Sequence, residues 1–316
     1  MRALVTGCAG FIGSHLTEHL LGDGHDVVGV DCFNANYARA DKLRNLERAR
    51  AWDSFTFVPV DLAQGDLGDL VEGCDVVYHL AAEPGVRTSW GSGFDRYVRN
   101  NVTATQLLLE AVRAHPGARV VYGSSSSVYG QAATLPTRED VVPAPVSPYG
   151  VTKLAAEHLV GSYAASFGLD VLSLRFFSVF GPRQRPDMAF TAFCRAALAE
   201  RPLAVLGDGG QTRDFTYVGD VVEALRQAAT APVPSGSVLN VGGGAPTTLG
   251  GAIDVLGDLV GRPLAVARGE QPPGDVRHTA ADVGRARELL GYRPTTDLRA
   301  GLQQQWAWAL SSADRP

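Results

Sequence analysis

Cysteine is scarce. Cys8, Cys32, Cys74 and Cys194 are the only four in 316 residues, and no two of them show the spacing of a zinc site or a disulfide framework. They read as ordinary buried or semi-buried thiols, and no metal site is expected. Long apolar runs are also missing: none approaches the ~20 residues of a membrane span, and no charged leader with an apolar stretch precedes the first strand. A cytoplasmic protein without a membrane partner is expected. Positive charge is in deficit, since 28 Lys and Arg against 33 Asp and Glu leave a net charge of −5, which gives no electrostatic reason to expect nucleic acid as a partner. Repeats and low-complexity tracts are absent to inspection. The proline-rich stretches Val142-Pro143-Ala144-Pro145 and Ala231-Pro232-Val233-Pro234 read as loops between elements.

What is present begins at the first residues. With 45% hydrophobic content the chain can bury a sizeable core, in one large or two modest domains. Its opening apolar run leads into Gly7-x-x-Gly10-Phe11-Ile12-Gly13 and then an apolar-periodic stretch, which predicts strand, glycine turn and helix. Gly7 permits the tight turn, Gly10 the close approach of a pyrophosphate, and Gly13 the packing of helix on strand, with the helix N-terminus facing the phosphates. A lone glycine pattern is weak. Here a second apolar run, Asp26 to Val30, ends in Asp31 about twenty residues on, where a carboxylate binds a ribose 2′-hydroxyl and repels a 2′-phosphate. That favours NAD over NADP, although Arg39 and Lys42 lie downstream.

Further apolar runs at Thr56 to Pro59, Val76 to Leu80, Arg119 to Gly123 and Val171 to Arg175 alternate with helix-like segments. The pattern predicts an α/β fold, a doubly wound parallel Rossmann sheet. Ligands of such sheets lie beyond the carboxyl ends of the strands. The residues to inspect there are Asp61, Ala81-Ala82-Glu83, Ser124 to Ser127, and Phe177-Ser178. After about residue 176 the pattern loosens, with helices expected near Phe190 to Ala199, Leu249 to Val260 and Val283 to Leu290. Residues 1–175 are therefore assigned to the nucleotide domain and 176–316 mainly to a smaller C-terminal substrate-binding domain, with returning segments near 213–241.

Tyr149 and Lys153 form a Tyr-x-x-x-Lys pair, which a helix places on one face. Alone the pair means little, because such neighbours are common on exposed helices. Beside a nucleotide-binding loop it points to redox chemistry on an alcohol: a phenol with pKa near ~10 is a poor base at neutral pH, and a fixed ammonium with a bound nicotinamide cation would lower it.

Six ordered motifs carry a family resemblance over nearly the whole chain: Thr6-Gly7-x-x-Gly10-Phe11-Ile12-Gly13, His79-Leu80-Ala81-Ala82, Asn100-Asn101-Val102, Ser124 to Gly130, Tyr149-x-x-x-Lys153, and Arg213-Asp214-Phe215-Thr216-Tyr217-Val218-x-Asp220-Val221. The chain resembles the extended short-chain dehydrogenase/reductases that act on nucleotide sugars. The resemblance implies that NAD stays bound, that Tyr149 takes the proton from a sugar hydroxyl, and that Lys153 holds the nicotinamide ribose. Ser125 would bond the reacting oxygen, with Ser127 and Ser126 as further sugar contacts. Besides the residues named above, it implies cofactor contacts from Asn34, Asp61, Leu62, Leu80, Ala81, Ala82, Asn100, Ser124 and Phe176. It also implies a homodimer built on helices 101–114 and 149–165, with Leu107, Leu108, Leu154 and Leu159 facing either the partner or the core.

The stretch Phe176 to Ala189, which includes Arg183, and Gly85-Val86-Arg87 resemble the corresponding regions of UDP-glucuronate 4-epimerases. Arg213 is assigned to the diphosphate, Arg185 with Ser178 to the sugar carboxylate, and Arg87, Phe177, Val205 and Asp275 to further substrate contacts. Dehydratases of the family carry Asp-Glu, and glucuronate decarboxylases a Glu, before the Val-Tyr-Gly that here follows Ser127. This chain has only serine there, which weakens the dehydratase assignment. The expectation is reversible 4-epimerisation of UDP-glucuronate to UDP-galacturonate. UDP-glucose 4-epimerisation, UDP-glucuronate decarboxylation and a noncatalytic NAD-sensing scaffold remain as alternatives.

Overall fold

A computed structural model describes residues 1–313. The strands β1 (Arg2–Thr6), β2 (Asp26–Val30), β3 (Phe55–Val58), β4 (Val76–His79), β5 (Arg119–Ser125) and β6 (Val171–Phe176) join a later strand, Ser237–Val241. Among the described residues these form one seven-stranded sheet, in the order β3-β2-β1-β4-β5-β6 and then the late strand. Every pairing in it is parallel. The order reverses between β1 and β4, and that crevice is where a doubly wound sheet binds its ligand.

Alternation along each strand fills both faces. Ala3 and Val5 of β1 enter one apolar cluster with Val27, Tyr78 and Leu172. Leu4 between them enters the opposite cluster with Val30, Val77 and Val120. The helix Val218–Thr230 returns to the first face through Val218, Val221 and Leu225. A third cluster, built on Phe180, Phe190, Phe193 and Leu256, belongs to the C-terminal lobe. The carboxylates of the Arg213-to-Val221 motif are structural. Asp214 accepts the N–H groups of Gly243, Gly244 and Ala281 at 2.7, 3.1 and 2.8 Å, and Asp220 accepts from Thr295 at 3.0 Å. No helix among the described residues is long and apolar enough to cross a membrane.

One expectation needs correction, and one open alternative is decided. Cys32 is exposed, because it follows the last residue of β2 into a loop, whereas the other three thiols are buried. Leu108 is fully buried and packs into the core, so it faces no partner, while Leu107, Leu154 and Leu159 stay half-buried.

Behind the strand ends sits a buried ion pair. Arg175 of β6 donates through Nε and Nη2 to Glu157 at 3.0 and 2.5 Å, and the Ser124 hydroxyl donates to the same carboxylate at 2.7 Å. Both charged side chains are only 5% exposed. Removing one partner strands the other in low dielectric. Arg175→Met is expected to lower the unfolding free energy by about 3–5 kcal/mol, with much of the loss recovered in Arg175→Met/Glu157→Met; denaturant titration of the three proteins checks this.

Candidate active site

The glycine turn closes tightly. Gly7 has φ +72°, and a Cβ there would meet the Ala81 backbone at 3.0 Å; a Cβ on Gly13 would lie 2.2 Å from the Gly7 carbonyl oxygen. Only glycine lets the helix α1 (Phe11–Gly22) run this close to the turn. The ends of β1 and β4 are locked side by side, since the Leu80 and Ala81 N–H groups both donate to the Thr6 hydroxyl at 3.1 Å.

These strand ends open on a cavity of about 820 Å³. On one side it is lined by Gly7, Gly10, Phe11, Ile12 and Gly13, and by Asp31 and Asn34 beyond β2. Asp61, Leu62, Leu80, Ala81, Ala82, Asn100, Ser124 and Phe176 complete that side. Asp31 accepts the Phe33 N–H at 2.8 Å and pairs with Lys42 at 3.7 Å. Lys42 also donates to Asn34. Arg39 stacks over the Phe33 ring at 4.9 Å. Asn34 and Asn100 both donate to Glu83, at 3.3 and 3.1 Å. Asp61 is held by Arg99 at 2.6 Å. A cradle that a Cβ would fill, a helix N-terminus and a carboxylate at the end of β2 together fit a dinucleotide whose ribose carries a free 2′-hydroxyl.

The helix Pro148–Phe167 carries the Tyr-Lys pair. It starts sharply because Ser147 caps it, accepting the Gly150 N–H at 3.1 Å, with proline in the first turn. Lys153 turns inward, donating to the Gly123 carbonyl at 2.6 Å above the Tyr122 ring, whose centroid is 4.4 Å away. Burial lowers its ammonium to about 7, and only the neighbouring Glu157 resists. Burial likewise raises the Tyr149 phenol above its ordinary value, against the lowering effects of the Ser125 hydroxyl and the Arg185 charge. The expected lowering of Tyr149 by a fixed ammonium is thus not produced by the protein alone. Desolvation outweighs the lowering by Ser125 and Arg185. Ser125, Ser126 and Ser127 line the cavity beside this pair, and the Ser127 N–H donates to the Ser125 hydroxyl at 3.1 Å.

Ser178, Arg185, Arg87, Val205, Arg213 and Asp275 line the remainder. Arg185 is clasped by Asp187 through Nε and Nη2 at 3.0 and 2.8 Å. Arg87 pairs with Asp275 at 3.1 Å. Arg213 donates to the Thr212 and Arg277 carbonyls at 2.9 and 3.2 Å; burial lowers its pKa against the opposing Asp275 charge. Arg87 and Arg213 therefore share Asp275 as an opposing charge, and Arg185 lies near the phenol.

Phe177 does not line the cavity, contrary to expectation. Its side chain is 1% exposed and packs in the core against Tyr129, with ring centroids 6.1 Å apart. Ser124 lines the cavity, but its hydroxyl is given to Glu157. Sequence reasoning missed Asp187, although its place two residues after Arg185 was a legible ion-pair signal. It also missed Tyr97, which donates to the Gly85 carbonyl at 2.8 Å and meets the Tyr149 ring edge-on at 6.2 Å; no spacing marks that residue.

The model of the NAD dependent epimerase/dehydratase family matches residues 3–242. The chain belongs to this family. The solved UDP-glucuronic acid 4-epimerase from Bacillus cereus, in complex with UDP-glucuronic acid and NAD, superposes with a TM-score of 0.96 at 41% identity, covering 99% of this chain and 100% of that one. A Bacillus subtilis relative named as an uncharacterized UDP-glucose epimerase, YtcB, is 43% identical over 98% of both chains. The UDP-glucose 4-epimerase of Mycolicibacterium smegmatis is 38% identical over 96% of both. The chain is an NAD-dependent nucleotide-sugar epimerase of this family, with the fold predicted from its sequence.

Proposed function

We propose that the enzyme interconverts UDP-glucuronate and UDP-galacturonate. The observation that carries this is the position of Arg185, a cation in the same cavity as Tyr149 and near enough for its charge to act on the phenol. A cation there faces the reacting end of the sugar, and Arg87 and Arg213 line the same cavity. Nε and Nη2 of Arg185 hold Asp187, which leaves Nη1 to meet a substrate carboxylate.

Bound NAD supplies the reversible removal and return of a hydride at carbon 4. Tyr149, as phenolate, takes the proton of the 4-hydroxyl and later returns one to the reduced oxygen. Ser125 donates to the oxygen as charge develops on it, Ser127 holds the sugar from the same side, and Lys153 holds the nicotinamide ribose. The 4-keto sugar turns over before reduction on its opposite face. This intermediate is a β-keto acid, which loses carbon dioxide when the breaking bond aligns with the carbonyl. Arg185 and Ser178 hold the carboxylate out of that alignment. The homodimer through helices 101–114 and 149–165 belongs to the same proposal, with Leu107, Leu154 and Leu159 at the contact. A sedimentation mass of one chain would count against it.

UDP-glucose is the second candidate substrate, supported by the names of the two relatives above. Incubation of the purified protein with UDP-glucuronate, without added reductant, is expected to give UDP-galacturonate by chromatography and proton NMR. Turnover of UDP-glucose alone would overturn the proposal. Arg185→Ala should raise the share of UDP-pentose or abolish substrate binding, and a variant unchanged in both respects would remove the role of Arg185. The Ser125 hydroxyl lowers the Tyr149 pKa. Its removal in Ser125→Ala should therefore move the rising limb of kcat/KM against pH, which reports the free enzyme, to higher pH, costing about tenfold below the limb for each unit moved. A limb that stays in place would show that Ser125 does not poise the phenol.

A further inference from the structure

Gly181, Pro182, Arg183 and Gln184 make a reverse turn, closed by the Gln184 N–H on the Gly181 carbonyl at 3.2 Å. Proline suits the second position of such a turn, and a positive φ at the third favours glycine or asparagine. The third residue is Arg183, at φ +64°. A side-chain-bearing residue is strained there. Arg183 carries a second cost: its Nη1 is buried and has no hydrogen-bond partner among the described residues.

The side chain offsets these costs by reaching α1. Arg183 Nη2 donates to Glu18 Oε1 at 2.7 Å, and the two side chains are only 13% and 19% exposed. Three residues earlier, on the same face of α1, His15 Nε2 bonds the Pro182 carbonyl at 2.9 Å. A carbonyl can only accept, so Nε2 carries the proton. Burial, assisted by the Arg183 charge, lowers His15 to about 4 and keeps it neutral near pH 7. From the other side, the Gly181 N–H donates to Gln305 at 3.0 Å, and the Thr191 hydroxyl donates to the Gln184 carbonyl at 2.9 Å. The turn is thus gripped between α1 and the C-terminal lobe, and Arg185 leaves it one residue later to enter the active-site cavity.

We propose that Arg183 is a positioning residue for substrate fidelity, its bond to Glu18 fastening the turn to α1 and so setting where Arg185 meets the substrate carboxylate. This rests on UDP-glucuronate being the substrate. Arg183 does not line the active-site cavity and acts through Arg185. When the turn is loosened, the carboxylate of the 4-keto sugar rotates into alignment with the carbonyl. The bond from carbon 5 to the carboxyl carbon then breaks and carbon dioxide leaves. The electron pair stays as the enolate of the ketone, which takes a proton from water, and return of the hydride gives a UDP-pentose.

Arg183→Gly relieves the backbone and removes the tether. Glu18→Gln keeps the turn and removes the opposing charge. Arg183→Lys restores a cation at the same position. Each purified protein, with NAD, is incubated with UDP-glucuronate, and the products are separated by chromatography. In both Arg183→Gly and Glu18→Gln the pentose share of product should rise at least threefold, or the KM for UDP-glucuronate should rise several-fold; Arg183→Lys should recover part of the loss. Partition and KM within twofold of wild type in both variants would overturn the proposal. So would a change in Arg183→Gly without one in Glu18→Gln, because the ion pair is the claimed link. Should Arg183→Gly fail to fold, Glu18→Gln decides alone. Wild-type protein that gives no UDP-galacturonate would overturn the functional proposal itself, an outcome visible before any variant is made.

Discussion

The approach of α1 to the turn before it governs much of this structure. A Cβ on Gly13 would overlap the Gly7 carbonyl at 2.2 Å, so the seat of the helix exists only because residue 13 is glycine, on a turn that Gly7 makes at φ +72° against the Ala81 backbone. That seat brings the first N–H groups of α1, with roughly half a unit of positive charge from the helix dipole, to the cavity where a pyrophosphate fits. The same helix extends His15 and Glu18 to the turn at Pro182 and Arg183. One steric requirement at the cofactor end therefore sets the reference frame for a residue at the sugar end.

Desolvation dominates the acid–base chemistry of the cavity. Lys153 is pushed down and Tyr149 up, both toward the uncharged form, as burial requires when the opposing charges are few. Glu157 is the carboxylate that resists for Lys153, and it is itself committed to Arg175 and Ser124. The protein thus supplies an acid–base pair shifted toward its uncharged forms, with little solvent around it. Charges that arrive with ligands act on that pair with far less screening than they would meet in water.

The glycine turn, the strand ends and the Tyr-Lys helix were legible because each rests on local spacing. Short apolar runs showed where the strands lie, yet β5 continues two residues past Gly123, because Ser124 and Ser125 still pair with Arg175 and Phe176. Phe177 was misjudged for another reason: it lies just past the end of β6 and joins the same apolar cluster as Leu172 and Leu174, a packing that no local spacing reveals. The raised phenol of Tyr149 was not legible, since burial is a property of the assembled fold. Nor was the left-handed backbone of Arg183, although the sequence Gly181-Pro182-Arg183-Gln184 carries proline where a turn with that geometry would have it.

Asp187 changes what Arg185 can select. A bare buried guanidinium would discriminate strongly for a carboxylate, because leaving it unpaired carries a large desolvation cost. Here Asp187 already satisfies two of its nitrogens, so a substrate with a neutral hydroxymethyl group leaves no orphaned charge behind. A uronate gains the remaining Nη1 donor but meets the Asp187 carboxylate as a like charge. Discrimination between the two sugars is the difference of these terms and is smaller than the charge on Arg185 alone implies. With UDP-glucuronate as the proposed substrate, the more demanding task at this site is to fix the orientation of a carboxylate that must not align with its own ketone, and on that proposal orientation depends on how firmly the turn behind Arg185 is held.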